Sequence, residues 1–70
     1  MNITKLQIVV LIEKYKKVTD VAFEMGLKQP TVTFHMKSLE SELGTSLFQY
    51  RSGRVLLTDA GRALYQYAVR

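Results

Sequence analysis

A pair of short helical patterns separated by a glycine turn constrains the fold of this chain more than any other feature. Ala22 supplies the small side chain that is needed where two helices cross, and Gly26, four residues later, accepts the positive φ of a tight turn. Pro30 fits the first turn of a second helix, because the N–H that proline lacks would have no helical partner there. Residues 18–37 therefore predict a helix-turn-helix.

The rest of the chain predicts a mainly α fold built around a three-helix core. Apolar residues at helical spacing predict a first helix over about residues 4–16 and a third helix that ends at Gly44. Two short β-prone runs within residues 48–57 flank a glycine turn and predict a β-hairpin. Thr58 can cap a fourth helix, and no stop signal follows before Arg70, so we expect that helix to continue past the end of the chain.

Composition limits the classes of protein to which the chain can belong. Its 70 residues suffice for one small domain, and 47% of them are hydrophobic, which is enough to form a core. Without cysteine the chain can form neither a disulfide nor a thiolate metal site. The longest apolar run, residues 8–12, is far shorter than the roughly 18 residues that cross a bilayer. We therefore expect a soluble cytoplasmic protein without a membrane partner.

The charge of the chain favours a polyanionic partner such as nucleic acid. Ten Lys and Arg residues against six Asp and Glu residues give a formal net charge of +4. Many small domains carry such a charge without binding a polyanion, so the net charge alone does not establish a nucleic-acid partner and the positions of the charges have to be considered. No acidic residue stands between Glu24 and Glu40, so most of the helix-turn-helix offers no carboxylate that would repel a phosphate backbone.

The exposed face of the second helix of the motif carries side chains suited to double-stranded DNA. Glutamine can reach base edges, proline, threonine and phenylalanine can contact thymine methyl groups, and lysine and threonine can bind phosphates. This face lies opposite a predicted buried stripe of Val32, Met36, Leu39 and Leu43. The predicted DNA contacts of this segment are Lys28, Gln29, Pro30, Thr31, Thr33, Phe34 and Lys37.

Two arginines, Arg51 and Arg54, flank Gly53 at the tip of the predicted hairpin. Guanidinium groups on a protruding tip can follow the phosphates of a duplex or enter its minor groove. A hairpin of this kind after a helix-turn-helix makes the predicted fold a winged helix-turn-helix: a three-helix core, a short β-hairpin wing and a C-terminal linker helix.

Four short motifs follow one another along the second half of the chain. They are Gln-Pro at the start of helix three, Leu-Glu-x-Glu-Leu-Gly at its end, Leu-Phe before the wing and Leu-Thr-x-Ala-Gly after it. In this combination the chain resembles the N-terminal domain of LysR-type bacterial transcriptional regulators, over essentially its whole length. The matching positions are Leu6, Val21-Ala22, residues 29–33 and 39–44, Leu47-Phe48, Arg51 and residues 57–61.

The resemblance implies a sequence-specific DNA-binding domain over residues 1–58, followed over residues 59–70 by the start of a dimerisation linker helix. Such regulators control transcription from an interrupted dyad operator bound by a homodimer or homotetramer, and RNA polymerase is a further candidate partner. A small-molecule effector would act through a C-terminal domain that this chain lacks. Carried over by position, the base and backbone contacts are Gln29, Pro30, Thr31, Thr33, Arg51 and Arg54.

The fourth helix matches the family's linker helix, which pairs between subunits. This role would account for a second apolar stripe on helix one, beside the stripe that the core needs. It would also account for the tyrosines of the fourth helix. The implied dimerisation residues are Ile8, Ile12, Leu64, Tyr65, Tyr67 and Ala68.

Three residues depart from the common pattern of the family. Phe34 stands where arginine is frequent. The helix therefore loses a guanidinium group that could donate two hydrogen bonds to guanine and gains a ring that can contact a thymine methyl group. Lys17 and Lys28 stand where serine commonly caps a helix, and each missing cap should cost about 1 kcal/mol of helix stability. Lys28 can offset part of that cost as a phosphate contact.

Two other classes of function fit the sequence less well than DNA binding does. A winged-helix protein-interaction module would need a wider apolar face than Phe34 alone, and the helical period favours exposure of Phe34 over burial. An enzyme would need a paired acid–base or metal-ligating set, and His35 has no second ligand or nucleophile near it in sequence. We therefore expect no cofactor and no metal. We expect His35 at the edge of a helix interface, with a phosphate contact as the alternative, and Glu40 and Glu42 solvated or paired with neighbouring residues.

Overall fold

The computed structural model describes residues 2–70 and shows the predicted mainly α arrangement of three helices, a β-hairpin and a C-terminal helix. Helix one begins and ends one residue earlier than predicted, and helix four ends at Ala68 instead of continuing through Arg70. The elements are α1 (Ile3–Tyr15), α2 (Val18–Met25), α3 (Gln29–Leu43), β1 (Phe48–Arg51), β2 (Arg54–Leu57) and α4 (Asp59–Ala68).

The helix ends follow the local signals in the sequence. Asn2 Oδ1 caps α1 by accepting a hydrogen bond at 2.9 Å from the N–H three residues later. Thr58 Oγ1 caps α4 in the same way at 3.0 Å. Lys17 and Lys28 precede α2 and α3 without a side-chain cap, as predicted. Gly26 ends α2 with the positive φ of 66° that the sequence required of it.

The core draws side chains from α1, α2, α3 and both strands, as well as from the segment before the hairpin. Burial of these apolar groups is the main favourable term in folding. Leu27, from the turn of the helix-turn-helix, packs against them and is partly buried. The buried apolar residues are Ile8, Val9, Ile12, Val21, Ala22, Val32, Met36, Leu39, Leu47, Phe48 and Val55.

Ile8 and Ile12 belong to this core, so the prediction that they form a dimerisation stripe is wrong. Their side chains are 1% and 0% exposed, because α4 and the rest of the core of the same chain cover that side of α1. A buried side chain offers no surface to a second subunit. Leu43, predicted to be buried, is 42% exposed at the last position of α3.

The hairpin is short and is fixed to the helices at both of its ends. Ser52 and Gly53 both have positive φ, 52° and 77°, which gives a two-residue turn whose twist matches that of paired strands. The N–H of Val55 donates to the carbonyl of Lys16 at 2.8 Å, which joins β2 to the end of α1. At the open end of the hairpin, the carbonyl of Leu47, the residue before β1, accepts the N–H of Thr58, the cap of α4, at 3.0 Å.

Glu40 has a structural role that the expectation of a solvated or neighbour-paired carboxylate does not include. Its Oε2 accepts the backbone N–H groups of Leu47 at 2.8 Å and Phe48 at 3.2 Å, and the Ser46 hydroxyl lies at 3.5 Å. The carboxylate of α3 therefore holds the segment where the chain enters β1. Hydrogen bonds to a charged acceptor are roughly twice as strong as neutral ones.

Replacing Glu40 with alanine is expected to lower the free energy of unfolding by about 2 kcal/mol, since two partly buried N–H groups lose their acceptor. In a domain of this size the loss corresponds to a Tm lower by about 8–16 °C in a thermal melt followed by circular dichroism. Ser41→Ala, at an exposed neighbouring position, is the matched control and should leave the Tm nearly unchanged. Equal melting of the two variants would contradict this role for Glu40.

A second polar link ties α4 to α1. The guanidinium of Arg62 donates to both carboxylate oxygens of Glu13, at 3.2 and 3.3 Å, and Lys16 Nζ lies 3.4 Å from the same carboxylate. Burial pushes the pKa of Glu13 upward, but the bonds and charges of Arg62 and Lys16 together outweigh it and leave the pKa below its usual value. Glu13 is therefore held in its charged form at the end of α1 where the hairpin attaches.

Candidate nucleic-acid interface

An open groove runs between α2 and the exposed face of α3. It brings together six of the predicted DNA contacts, while Thr31 is half-buried and lies outside its lining. From α2 and the turn, the groove receives Thr19, Ala22, Phe23 and Leu27. The six predicted residues in the lining are Lys28, Gln29, Pro30, Thr33, Phe34 and Lys37.

The helical period of α3 produces this division of its faces. Val32, Met36 and Leu39 recur at i, i+4 and i+7 and are at most 1% exposed. Phe34 lies on the opposite face and is 67% exposed, as the period predicted. The N-terminal turn of α3, at Gln29, opens into the groove, where the helix dipole favours an anion.

The charge of the groove is positive. Its lining contains Lys28 and Lys37 and no aspartate or glutamate. Neither lysine takes part in an ion pair within residues 2–70. Glu24, the acidic residue of α2 that follows Phe23, instead accepts a hydrogen bond from the Tyr15 hydroxyl at 2.9 Å and lines a different groove. The groove therefore suits an anionic partner.

The wing adds two further cations at its tip. Arg51 and Arg54 are directly paired across the hairpin, so their side chains leave the same face of the ribbon. Both are exposed, and neither forms an ion pair in the part of the chain that the structure describes. Like charges directly opposite each other repel, and an anion placed between them removes that cost.

Sequence reasoning missed Phe23, which is 89% exposed and lines the groove opposite Phe34. A signal was present, because positions 19 and 23 are four apart and lie away from the buried Val21 and Ala22. Phenylalanine is usually buried, however, so an exposed phenylalanine is easily assigned to the core when only the sequence is considered. Thr19 was missed for a different reason: its side chain matters only because α3 lies beside it.

His35 lies where the sequence predicted it, at the edge of the helix interface. It is half-buried, its ring meets that of Phe34 edge to face with centroids 5.8 Å apart, and its Nδ1 is buried without a hydrogen-bond partner. No cluster of three or more acidic, histidine or cysteine side chains suited to a metal ion occurs among the described residues. None of the helices within residues 2–70 is both long enough and apolar enough to cross a membrane.

The remaining predicted dimerisation residues lie on α4. Leu64 and Tyr65 are partly buried against the core of their own chain, whereas Tyr67 is 62% exposed. Ala68 lines a second, mostly apolar groove on the outer side of α1. The other residues of this groove are Ile3, Leu6, Gln7, Val10, Leu11, Glu24 and Met25.

Comparison with known families and proteins agrees with this geometry. Residues 3–62 match the model of the bacterial regulatory helix-turn-helix proteins of the lysR family. The chain is 40% identical over 70 residues to the HTH-type transcriptional regulator CitR of Bacillus subtilis, covering 100% of this chain and 24% of that protein. It is 32% identical over 68 residues to the RuBisCO operon transcriptional regulator of Allochromatium vinosum, covering 97% of this chain and 22% of that protein. The chain thus spans about a quarter of the length of these curated relatives.

Solved structures with the same fold include two complexes with DNA. The CbnR DNA-binding domain in its DNA complex superposes with a TM-score of 0.93 at 27% identity, over 100% of this chain and 80% of that one. The BenM DNA-binding domain bound to the benA site 1 DNA gives a TM-score of 0.91 at 30% identity, over 99% of this chain and 80% of that one.

Proposed function

The chain belongs to the lysR family of bacterial regulatory helix-turn-helix proteins, and from that premise we propose that it binds a dyad operator as the head of a longer, dimeric or tetrameric regulator. Its function is that of a DNA-binding domain of a transcriptional regulator and not that of an enzyme. The observation that carries the proposal is the acid-free groove of α2 and α3, which collects the side chains of a reading helix beside two lysines.

In the proposed complex the N-terminal half of α3 enters the major groove. Gln29 and Thr33 have the hydrogen-bonding groups to read base edges, and Phe34 can contact a thymine methyl group. Lys28 and Lys37 bind phosphates on either side, which fixes the position of the helix without reading sequence. Arg51 and Arg54 bind the backbone or the minor groove beside the wing.

We further propose that a second copy of the chain covers the groove on the outer side of α1. That groove is mostly apolar and includes Ala68 of α4. Tyr67, the residue before Ala68, is largely exposed. A dyad operator needs two copies related by a two-fold axis, and an apolar surface shared by α1 and α4 can supply such an interface. Leu64 and Tyr65 would contribute their exposed edges.

The proposal extends to the longer protein that the relatives indicate. An effector-binding domain would follow α4, contact with RNA polymerase would take place at the promoter, and the protein would act in the bacterial cytoplasm. One observation favours the alternative of a protein-interaction module: the exposed Phe23 makes the apolar surface wider than Phe34 alone would. The same groove nevertheless keeps glutamine, threonine and two lysines together, which a protein-docking surface does not require.

Selection of bound duplexes from random DNA, together with the mass of the complex in solution, tests the proposal. We expect a recovered sequence with two half-sites in dyad relation, spaced by about one helical turn or a multiple of it, and a mass of two or more chains per duplex. Recovery of no preferred sequence would contradict sequence-specific binding. A mass of one chain per recovered dyad would contradict the proposed assembly.

A further inference from the structure

The largest apolar side chains left open to solvent on the reading surface are two phenylalanines in one groove. Phe23 projects from α2 and is 89% exposed, and Phe34 projects from α3 and is 67% exposed. The same lining also includes the apolar side chains of Leu27 and Pro30, together with the polar side chains of Thr19, Gln29 and Thr33. Covering either ring would remove apolar surface from water, which is energetically favourable.

The surroundings of the two rings favour DNA as the group that covers them. Lys28 and Lys37 lie in the same lining, which has no carboxylate, and Gln29 opens the reading helix there. An apolar patch framed by unpaired cations suits a partner that presents apolar groups next to anions. A duplex has this character in its major groove, where thymine C5-methyl groups project between the phosphate backbones.

We propose that Phe23 and Phe34 form the two walls of a slot that accepts thymine methyl groups. The proposal rests on the DNA-binding function and deepens it, because it gives α2 a part in reading sequence and names the base that is read. The thymine methyl is the one apolar substituent on the major-groove edge of the four bases, so an apolar slot selects thymine over cytosine. The slot should accept 5-methylcytosine for the same reason.

Replacement of thymine by deoxyuridine removes the methyl group and leaves the hydrogen-bonding edge of the base intact. In the duplex recovered by selection, each thymine would be replaced in turn and the dissociation constant measured. We expect about fourfold weaker binding at one or two positions in each half-site, as the loss of one buried methyl contact in each replacement requires. Phe23→Ala and Phe34→Ala should each bind the thymine and deoxyuridine duplexes nearly alike at those positions.

Tyr50→Ala provides a matched control, since Tyr50 is an aromatic residue of the hairpin with the same 67% exposure as Phe34 and lies outside the groove. This variant should keep the full preference for thymine. Circular dichroism of all three variants should show a native fold, because none of the three aromatic side chains is part of the core.

The outcomes separate this proposal from the function on which it rests. Specific binding of the selected duplex with no sensitivity to deoxyuridine at any position would overturn the slot, leave the DNA-binding function intact and favour a protein partner for the two rings. A thymine preference that survives Phe23→Ala but not Phe34→Ala would remove α2 from the reading surface and overturn the two-walled slot. Failure of the chain to prefer any duplex would overturn the proposed function itself.

Discussion

Gly61→Ala is expected to lower the free energy of unfolding by about 3 kcal/mol, and the Tm by about 12–24 °C, although alanine is the better helix former. Gly61 lies in the first turn of α4 with its Cα against the hairpin entry. A Cβ at this position would collide with the backbone carbonyl oxygen of Leu47 and would lie 3.1 Å from its carbonyl carbon and 3.3 Å from Leu57 Cβ.

The carbonyl of Leu47 cannot move aside at low cost. It accepts the N–H of Thr58 at 3.0 Å, and the Thr58 hydroxyl both donates to the Ser46 carbonyl at 2.7 Å and caps the N–H of Gly61. Relief of the collision would therefore break the junction of the hairpin with α4. For a domain of this size, about 3 kcal/mol is a large fraction of the total stability.

Ala63→Gly in the same helix supplies the control for helix propensity. Position 63 is exposed, so the change should cost only about the 1 kcal/mol by which glycine is a poorer helix former than alanine. If helix propensity alone determined the effect at position 61, Gly61→Ala would raise the Tm by about as much as Ala63→Gly lowers it. A Tm of Gly61→Ala at or above that of the parent chain would contradict the close contact.

The features predicted correctly from the sequence are those set by local chemistry. Gly26 ends α2, Thr58 caps α4, and Phe34 is exposed, because turn geometry, capping and helical period depend on residues a few positions apart. The winged arrangement could be predicted for a related reason. Its hairpin turn and its two flanking helices each carry their own signal in the sequence.

Most of the errors concern contacts between segments that are separated in sequence. Helix one is apolar on two sides, and periodicity does not tell whether the second side packs on α4 of the same chain or on another copy, so Ile8 and Ile12 were misassigned. Glu40 carries no sign that its carboxylate meets N–H groups seven and eight residues later. Phe23 becomes part of the reading surface only because the turn brings α2 beside α3.

Simultaneous replacement of Arg51 and Arg54 by alanine is expected to weaken DNA binding about a hundredfold near physiological salt. Two charge-assisted bonds to the backbone would be lost, and at roughly 1.5 kcal/mol each, the lower end of their usual net value, the loss of about 3 kcal/mol corresponds to about a hundredfold. The slope of log K against log salt should become shallower by about 1.8, since each neutralised phosphate contributes about 0.9. Titration of a labelled duplex at several salt concentrations measures both quantities.

The loss should be alike for the selected operator and for unrelated duplexes, because phosphate contacts carry no sequence information. Gln29→Ala should behave in the opposite way, weakening the operator more than unrelated DNA. Arg70→Ala removes one positive charge, half of the change in the double variant, from an exposed position away from the hairpin and serves as the control for net charge. Unchanged affinity and an unchanged salt slope in the double variant would show that the wing does not contact DNA.

The same double variant should not lose stability, and this separates a binding residue from a structural one. In the free chain the two guanidinium groups face each other across the hairpin without an acidic partner in the described residues. Removal of the like-charge pair should raise the free energy of unfolding by roughly 0.2–1 kcal/mol. A higher Tm combined with weaker DNA binding would mean that the two arginines destabilise the free protein by repelling each other and that phosphate groups of the DNA relieve this repulsion in the complex.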